Sequence, residues 1–291
     1  MRDEQNPNYY LCYATANDKR FYLQDIKNLV NICNCNSGVD KLYLYISISK
    51  IREIDWFDKI FVNTVILLFN DCATIDLVEI SFKENIGRDF SSYSLMSKKI
   101  LQVAKSNDYV FFRNRSACGP FLTNWYLLYI DQFMLHEKVA IIGSTINFND
   151  HPERSFNTNL PHVQTYAFLT KVKYLEMLRE SFPGEKETTR LNIILNGEIG
   201  LSQFFLKNGF YIKCLEWPGK LIEEKSQPLA SSDCKEGVIE DHPFYHRRFM
   251  RRNKTKMVPD SLMKPLIIYF SYFLRLCHRS VSRNEQRDVL K

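Results

Sequence analysis

No run of about 18 uncharged apolar residues occurs in this sequence, the length a membrane-crossing helix needs, so no span is expected. Met1-Arg2-Asp3-Glu4-Gln5-Asn6 holds no apolar h-region, and no signal peptide is expected either. Internal repeats and low-complexity segments are absent. The 8 cysteines lack metal-type pairing: Cys33-Asn34-Cys35 is too short for a CxxC site and the others are scattered. Without a secretory signal they read as reduced cytosolic thiols. Most of the chain also lacks a charge excess. The formal net charge is +6, and much of it sits in residues 246 to 256, His246-Arg247-Arg248-Phe249-Met250-Arg251-Arg252-Asn253-Lys254-Thr255-Lys256. A basic run beside aromatics suits nucleic acid, an anionic membrane or a diphosphate ligand. The near balance elsewhere argues against a dedicated nucleic-acid protein.

What is present is a 291-residue chain with 45% hydrophobic and 25% charged residues, ordinary for a soluble globular protein of one large α/β domain or two small ones. Four strand-then-helix units fill the first half. The apolar runs 9–14, 41–47, 75–82 and 109–114 predict strands, and helical patterns follow at 20–32 and 88–105. The apolar segment 51–71 fits helix or strand. Residues 138–146 and 162–169 predict two more strands. This alternation implies parallel pairing in a covered sheet.

Five clusters carry side chains suited to chemistry. Asn85-Ile86-Gly87-Arg88-Asp89 follows a buried strand and opens a helix, where ligands and anions bind in open α/β sheets. It offers amides, a guanidinium and a carboxylate to a sugar-phosphate, or is a capped helix start with a surface ion pair. Arg113-Asn114-Arg115-Ser116 ends the fourth strand; its arginines would neutralise a diphosphate or stand exposed on a structural turn. His162, Gln164 and Tyr166 alternate, so on a strand they share one face, suited to a hydroxyl-rich ligand or simply half exposed. Glu198, in Asn196-Gly197-Glu198-Ile199-Gly200, reads as a helix start. There it is a partner for the helix dipole or a general base for a hydroxyl. Gly209 is the expected terminator of that helix. In Asp241-His242-Pro243-Phe244-Tyr245-His246 the two histidines would share a metal only in a helix, which Pro243 opposes.

Taken in order from about Tyr10 to Lys254, these segments resemble a bacterial-type group of GT-A-like glycosyltransferases related to rhamnan-synthesis (RgpF-like) and other polysaccharide-building enzymes. Asn114 to Phe121, Ile142 to Asn147, Pro161 to Thr165, Gly197 to Ser202 and His242-Pro243-Phe244 carry the likeness together with Asn85 to Asp89. The resemblance implies a Rossmann-like GT-A fold, α/β with a mostly parallel central sheet flanked by helices, over residues 1–258. It implies transfer of a sugar from a nucleotide-sugar to a hydroxyl of a glycan or lipid-linked glycan in surface, capsular or O-antigen polysaccharide synthesis. Thr15, Asn17, Asp18, Asn85, Gly87, Arg88 and Asp89 would line the donor. Glu198 would be the general base of an inverting reaction, and His162 and Gln164 would orient acceptor or donor sugar.

One departure stands out. GT-A enzymes commonly carry Asp-x-Asp after the fourth strand to hold Mn²⁺ or Mg²⁺, and Arg113-Asn114-Arg115-Ser116 occupies that place. Either Arg113 or Arg115 takes over the charge, or Asp89 and His242 supply a displaced metal site. The same departure suits a catalytically inactive glycan- or nucleotide-binding subunit of such an assembly. Residues 259–291 are basic and aromatic, fitting an amphipathic helix on an anionic membrane or a helix packed on the core. The expected location is cytoplasmic, with peripheral attachment to the cytoplasmic membrane face if that segment binds lipid.

Overall fold

In a computed structural model of the chain, residues 6–70, 72–228 and 242–250 are described; the segment 259–291 lies outside them. The strand-and-helix units expected in the first half are there. They run β1 (Tyr9–Ala16), α1 (Tyr22–Asn34), β2 (Leu42–Lys50), α2 (Trp56–Asn70), β3 (Ile75–Glu84), α3 (Arg88–Ile100) and β4 (Tyr109–Asn114). The ambiguous 51–71 stretch becomes α2. Its start is fixed by Asp55, whose carboxylate accepts the backbone N–H of Phe57 at 2.9 Å and closes an Asx turn. Next come β5 (Ala117–Cys118), α4 (Trp125–Met134), β6 (Val139–Gly143), β7 (Ile146–Asn147), β8 (His162–Val163), β9 (Ala167–Lys171) and α5 (Val172–Glu176). Then α6 (Arg190–Asn192) runs through a π-helical stretch, Ile193–Ile199, into α7 (Gly200–Lys207). The described chain closes with β10 (Tyr211–Cys214), β11 (Tyr245–His246) and α8 (Arg247–Met250).

Seven strands make the central sheet in the order β3-β2-β1-β4-β9-β6-β10. β1 pairs in parallel with β2 and β4, β2 with β3, and β6 with β10. Only β9 among the seven runs against its neighbours, β4 and β6. The fold is therefore the expected Rossmann-like α/β layout, a mostly parallel sheet flanked by helices. Aromatic rings fill the layer between β4 and the helices. Phe111 meets Trp125 and Tyr129 edge-on at 5.2 and 4.8 Å, and Phe112 stacks on Phe168 at 5.1 Å. Such pairs add about 0.5–1.5 kcal/mol each beyond the area they bury.

Two local readings differ from the sequence pattern. The strand expected over 162–169 is broken: β8 ends at Val163, residues 165–166 turn, and β9 starts at Ala167. His162, Gln164 and Tyr166 thus do not share a strand face. The helix expected to begin near Glu198 begins at Arg190 instead, because the Thr189 hydroxyl accepts the N–H of Asn192 at 3.2 Å and caps it there. Its end is as expected, with Gly209 left-handed at φ 76° just past α7.

Candidate active site

Parallel strands deliver their C-terminal ends to one edge of a sheet, where ligands bind in open α/β folds. Here the antiparallel β9 adds to that edge. The turn that precedes it lands beside the residues that follow β4, and the Asn114 N–H donates to the Tyr166 carbonyl at 3.1 Å. Asn114, Gln164, Thr165 and Tyr166 therefore face the beginning of α3 across one cavity of about 290 Å³. Arg88, Asp89, Arg190, Glu198, His246 and Arg248 also line it.

Two glycines let the walls close in. Gly87 is left-handed at φ 65°, and a Cβ there would sit 2.1 Å from the Glu185 carbonyl oxygen. Arg88 follows at φ 45°, an uncommon conformation for a side-chain-bearing residue and one that clusters at functional sites. Gly197 lies against the Phe90 ring, which a Cβ would approach to 2.7 Å. The π-helical stretch thereby packs onto the first turn of α3 and sets Glu198 near Asp89. π-helical turns inside helices are frequent at functional sites.

Burial holds the Glu198 carboxyl well above the ordinary range. The backbone N–H of Thr165 lowers it, the nearby charge of Asp89 raises it, Arg248 lowers it, and it comes to about 7. Burial also raises Asp89, against the pull of the Asn114 amide, which donates to its carboxylate at 2.7 Å. His246 is pushed down to about 4 by burial and by Arg248 and Arg247, so it is neutral at pH 7.

Glu198 and Gln164 also line a second cavity of about 360 Å³. Its other walls come from the 147–158 loop and β8: Asn147, Asn149, Asp150, His151, Ser155, Phe156, Asn157, Thr158 and His162. Gln164 accepts the Thr145 hydroxyl at 2.9 Å, and His162 is buried with its Nδ1 2.7 Å from the Leu160 carbonyl. Among the described residues, no lysine or arginine lines this second cavity.

Of the expected donor residues, Arg88, Asp89 and Asn114 line the first cavity, and the others do not. Arg113 is a correction. It has no exposed surface, donates to the carbonyls of Gly119 and Ala117 at 2.9 and 2.5 Å, and lies between the rings of Tyr13 and Phe244. A guanidinium so enclosed does not reach a diphosphate. Arg115 is a second correction. It grips the fully buried Asp25 carboxylate at 2.5 Å and donates to the Thr15 hydroxyl and the Ala16 carbonyl, tying the β4 turn to β1 and α1. Neither arginine is the exposed surface group that the alternative reading allowed.

Thr15 is spent on Arg115. Asn17 is buried and bridges to the Ile51 N–H and Arg52 carbonyl, and Asp18 pairs with Arg20, whose hydrogen bond holds that carboxyl low. Asn85 is exposed in the β3–α3 turn, and Ser116 donates its N–H to the Asn114 side chain; neither lines the cavity.

The turn after β4 does not fit a divalent cation, which needs several carboxylate or carbonyl oxygens. Asn114 is bound to Asp89 there and Arg115 to Asp25. The displaced Asp89–His242 site also fails. His242 is buried against the Tyr245 ring and is not part of the cavity wall, and burial pushes it down to about 4. Among the described residues, no group of three or more His, Cys, Asp or Glu side chains is placed to hold a metal. None of their helices is long and apolar enough to cross a membrane.

Sequence reasoning passed over Arg190 and the 147–158 loop. Arg190 is the first helical residue after the Thr189 cap, a Thr-Thr-Arg start legible in principle. Arg248 lay within the noted basic run but had no assigned place.

No protein-family model matches the chain, and no curated protein does. Among solved structures it is similar to the apo structure of WbbM, described as a bifunctional glycosyltransferase. Identity there is 11% and the TM-score 0.40, over 73% of this chain, which spans 40% of that one. It is also similar to 4-diphosphocytidyl-2C-methyl-D-erythritol synthase, at 12% identity and TM-score 0.40 over 79% of this chain and 96% of that one. The galactosyltransferase LgtC with donor and acceptor sugar analogues gives 11% and 0.37, over 65% and 69%. Likenesses this remote carry no residue role across.

Proposed function

We propose that the chain is a glycosyltransferase that moves a sugar from a nucleotide-sugar to a glycan hydroxyl with inversion. The observation that carries this is the Glu198 carboxyl, held at about 7, in the wall shared by a cationic cavity and a cavity of amides and hydroxyls. A general base works best with its pKa near the operating pH. A donor diphosphate suits the first cavity, where Arg88, Arg190 and Arg248 offer charge-assisted hydrogen bonds to phosphate oxygens. An acceptor sugar suits the second.

In the reaction, Glu198 takes the proton of the acceptor hydroxyl as its oxygen attacks C1 of the donor sugar. The C1–O bond to phosphate breaks, and the nucleoside diphosphate leaves with the electron pair. Guanidinium groups stabilise the charge that develops on it. No step is assigned to a metal ion, since the donor set after β4 does not suit one. Surface or capsular polysaccharide synthesis, with a lipid-linked acceptor, is the setting we infer from the sequence resemblance.

The test is to screen the purified chain for thermal stabilisation by UDP-, GDP-, dTDP- and CMP-sugars with and without Mn²⁺, then to assay transfer with the best donor. We expect stabilisation by one nucleotide class without added metal, and transfer that Glu198→Gln abolishes while donor binding persists. Full transfer by Glu198→Gln would remove its assigned role. Donor binding with no transfer to any acceptor would favour a binding subunit.

A further inference from the structure

The acceptor side of the site is larger than one sugar needs. Beyond the amide-lined cavity lies a third, of about 570 Å³, sharing Asp150, Ser155 and Ile199 with it. Both fall in the size range of ligand pockets, about 300–1,000 Å³. Leu195, Asn196, Gly200, Gln203, Phe204 and Lys207 also line the third cavity.

The loop over both cavities is built, not slack. Asp150 accepts from Arg154 Nε at 2.8 Å, from the Ser155 hydroxyl at 2.5 Å and from the His151 N–H at 2.7 Å. Its own N–H donates to the Asn157 carbonyl at 2.8 Å, and Leu160 N–H to Phe148 at 3.0 Å, closing the loop at its base. A loop held this way by its own polar side chains nevertheless leaves Phe156, in the wall of the amide-lined cavity, 89% exposed. The Phe156 ring is therefore open to a ligand in that cavity. Its flat apolar face beside amides and hydroxyls matches a sugar ring, which has an apolar C–H face and a polar hydroxyl rim.

We propose that the acceptor is an oligosaccharide of two or more residues. Its uncharged terminal sugar sits against Phe156 in the amide-lined cavity, and the preceding residues run into the third cavity past Gly200. This rests on the transferase reading for the direction of the chain, since the end at Glu198 must be the one that reacts. The terminal sugar carries no anionic group, because among the described residues Asp150 and Glu198 line its cavity and no lysine or arginine does. In the third cavity Arg154 is neutralised by Asp150, which leaves Lys207 at the edge.

The experiment measures binding of matched mono-, di- and trisaccharides of neutral hexoses and deoxyhexoses, by saturation-transfer NMR and titration. The full-length wild type is compared with Phe156→Ala and Gly200→Leu. Phe156 is exposed, and Gly200 has ordinary helical angles, so both variants should fold. Thermal shift with nucleotide-sugars in the same preparations checks the fold and reads the donor pocket separately. In at least one series we expect the trisaccharide to bind about tenfold or more tighter than its monosaccharide, a difference of about 1.4 kcal/mol. Phe156→Ala should weaken all lengths by ~2- to 10-fold, as loss of a ring contact does. Gly200→Leu should erase the length dependence and spare the monosaccharide.

Binding that ignores length, or is unchanged in Phe156→Ala, overturns the proposal while donor binding leaves the transferase reading in place. A preference for a charged terminal sugar overturns it too. Length-dependent glycan binding without any nucleotide-sugar binding would keep the extended groove and sink the transferase reading.

Discussion

The two cavities that meet at Glu198 are opposites in chemistry. One is ringed by Arg88, Arg190 and Arg248; the other has asparagines, histidines, hydroxyls and an exposed phenyl ring and, among the described residues, no lysine or arginine. Guanidinium groups favour phosphate, whereas neutral amides offer a phosphate little and sugar hydroxyls a good deal. Charge alone therefore sorts two ligands to two sides of one carboxylate. A site for a single small substrate would need no such division, so the contrast itself points to a two-substrate reaction.

The sharpest way to break this comparison is to remove the group between the cavities. Glu198→Gln should cut transfer by about 10²- to 10⁴-fold, the usual range for a general base, with both ligands still bound. In the wild type kcat/KM should rise as pH climbs through about 7, because only the carboxylate accepts a proton. Stability gives an independent reading with the opposite sign. A carboxyl raised by burial is neutral in folded and unfolded chains at low pH and carries its full penalty once charged in both. Glu198→Gln should then raise Tm at pH 8 and change it little at pH 4. A flat pH profile together with unchanged Tm would show that the carboxyl is neither buried nor poised.

A second large effect separates arginines that hold the fold from those that face the ligand. Arg115→Ala strips the partner from the buried Asp25, and losing one member of a buried ion pair destabilises by about 3–5 kcal/mol. The variant should unfold at clearly lower denaturant concentration and, where folded, bind donor normally. Unaltered stability with lost donor binding would return Arg115 to the diphosphate.

That same contrast shows what could be read from sequence. Strands 9–14 and 109–114 are apolar runs between turn residues, a local signal that survives folding. The direction of β9 is not local; it depends on the path of the chain across the sheet. Arg113 and Arg115 sit where a ligand-binding loop was expected, and their fate is decided by Asp25 on α1 and Phe244 beyond residue 240. Those partners are distant in sequence, so the pair looked available. Asn196-Gly197 resembled a helix start because both residues favour turns, yet the Thr189 cap came first and the helix ran through. Glu198 and Gln164 were singled out because their residue types and the ordered segments pointed the same way, and both line the cavities; Arg190 and Phe156 belonged to no such segment.

Smaller changes sharpen the division. Arg88→Ala, Arg190→Ala and Arg248→Ala should each weaken nucleotide-sugar binding by about 10- to 100-fold, the equivalent of one charged hydrogen bond of about 1.5–3 kcal/mol. Each should leave glycan binding within twofold or so, and donor affinity should fall with added salt. If one of the three instead weakens glycan binding alone, the cationic cavity is not the donor side.

The finest probe is Gln164, which lines both cavities and spends its side-chain oxygen on Thr145. His162 lines only the amide side. Replacing a neutral hydrogen-bonding group removes about 0.5–1.5 kcal/mol, a factor of roughly 2–10. If the division is real, Gln164→Ala should raise the KM of both substrates by such a factor, while His162→Gln should raise the acceptor KM alone. His162 is buried, so its variant must first match the wild type in Tm for the kinetic comparison to count. Equal effects of the two substitutions on the donor would mean that the cavities form one continuous pocket, and the sorting by charge would then have to act along its length.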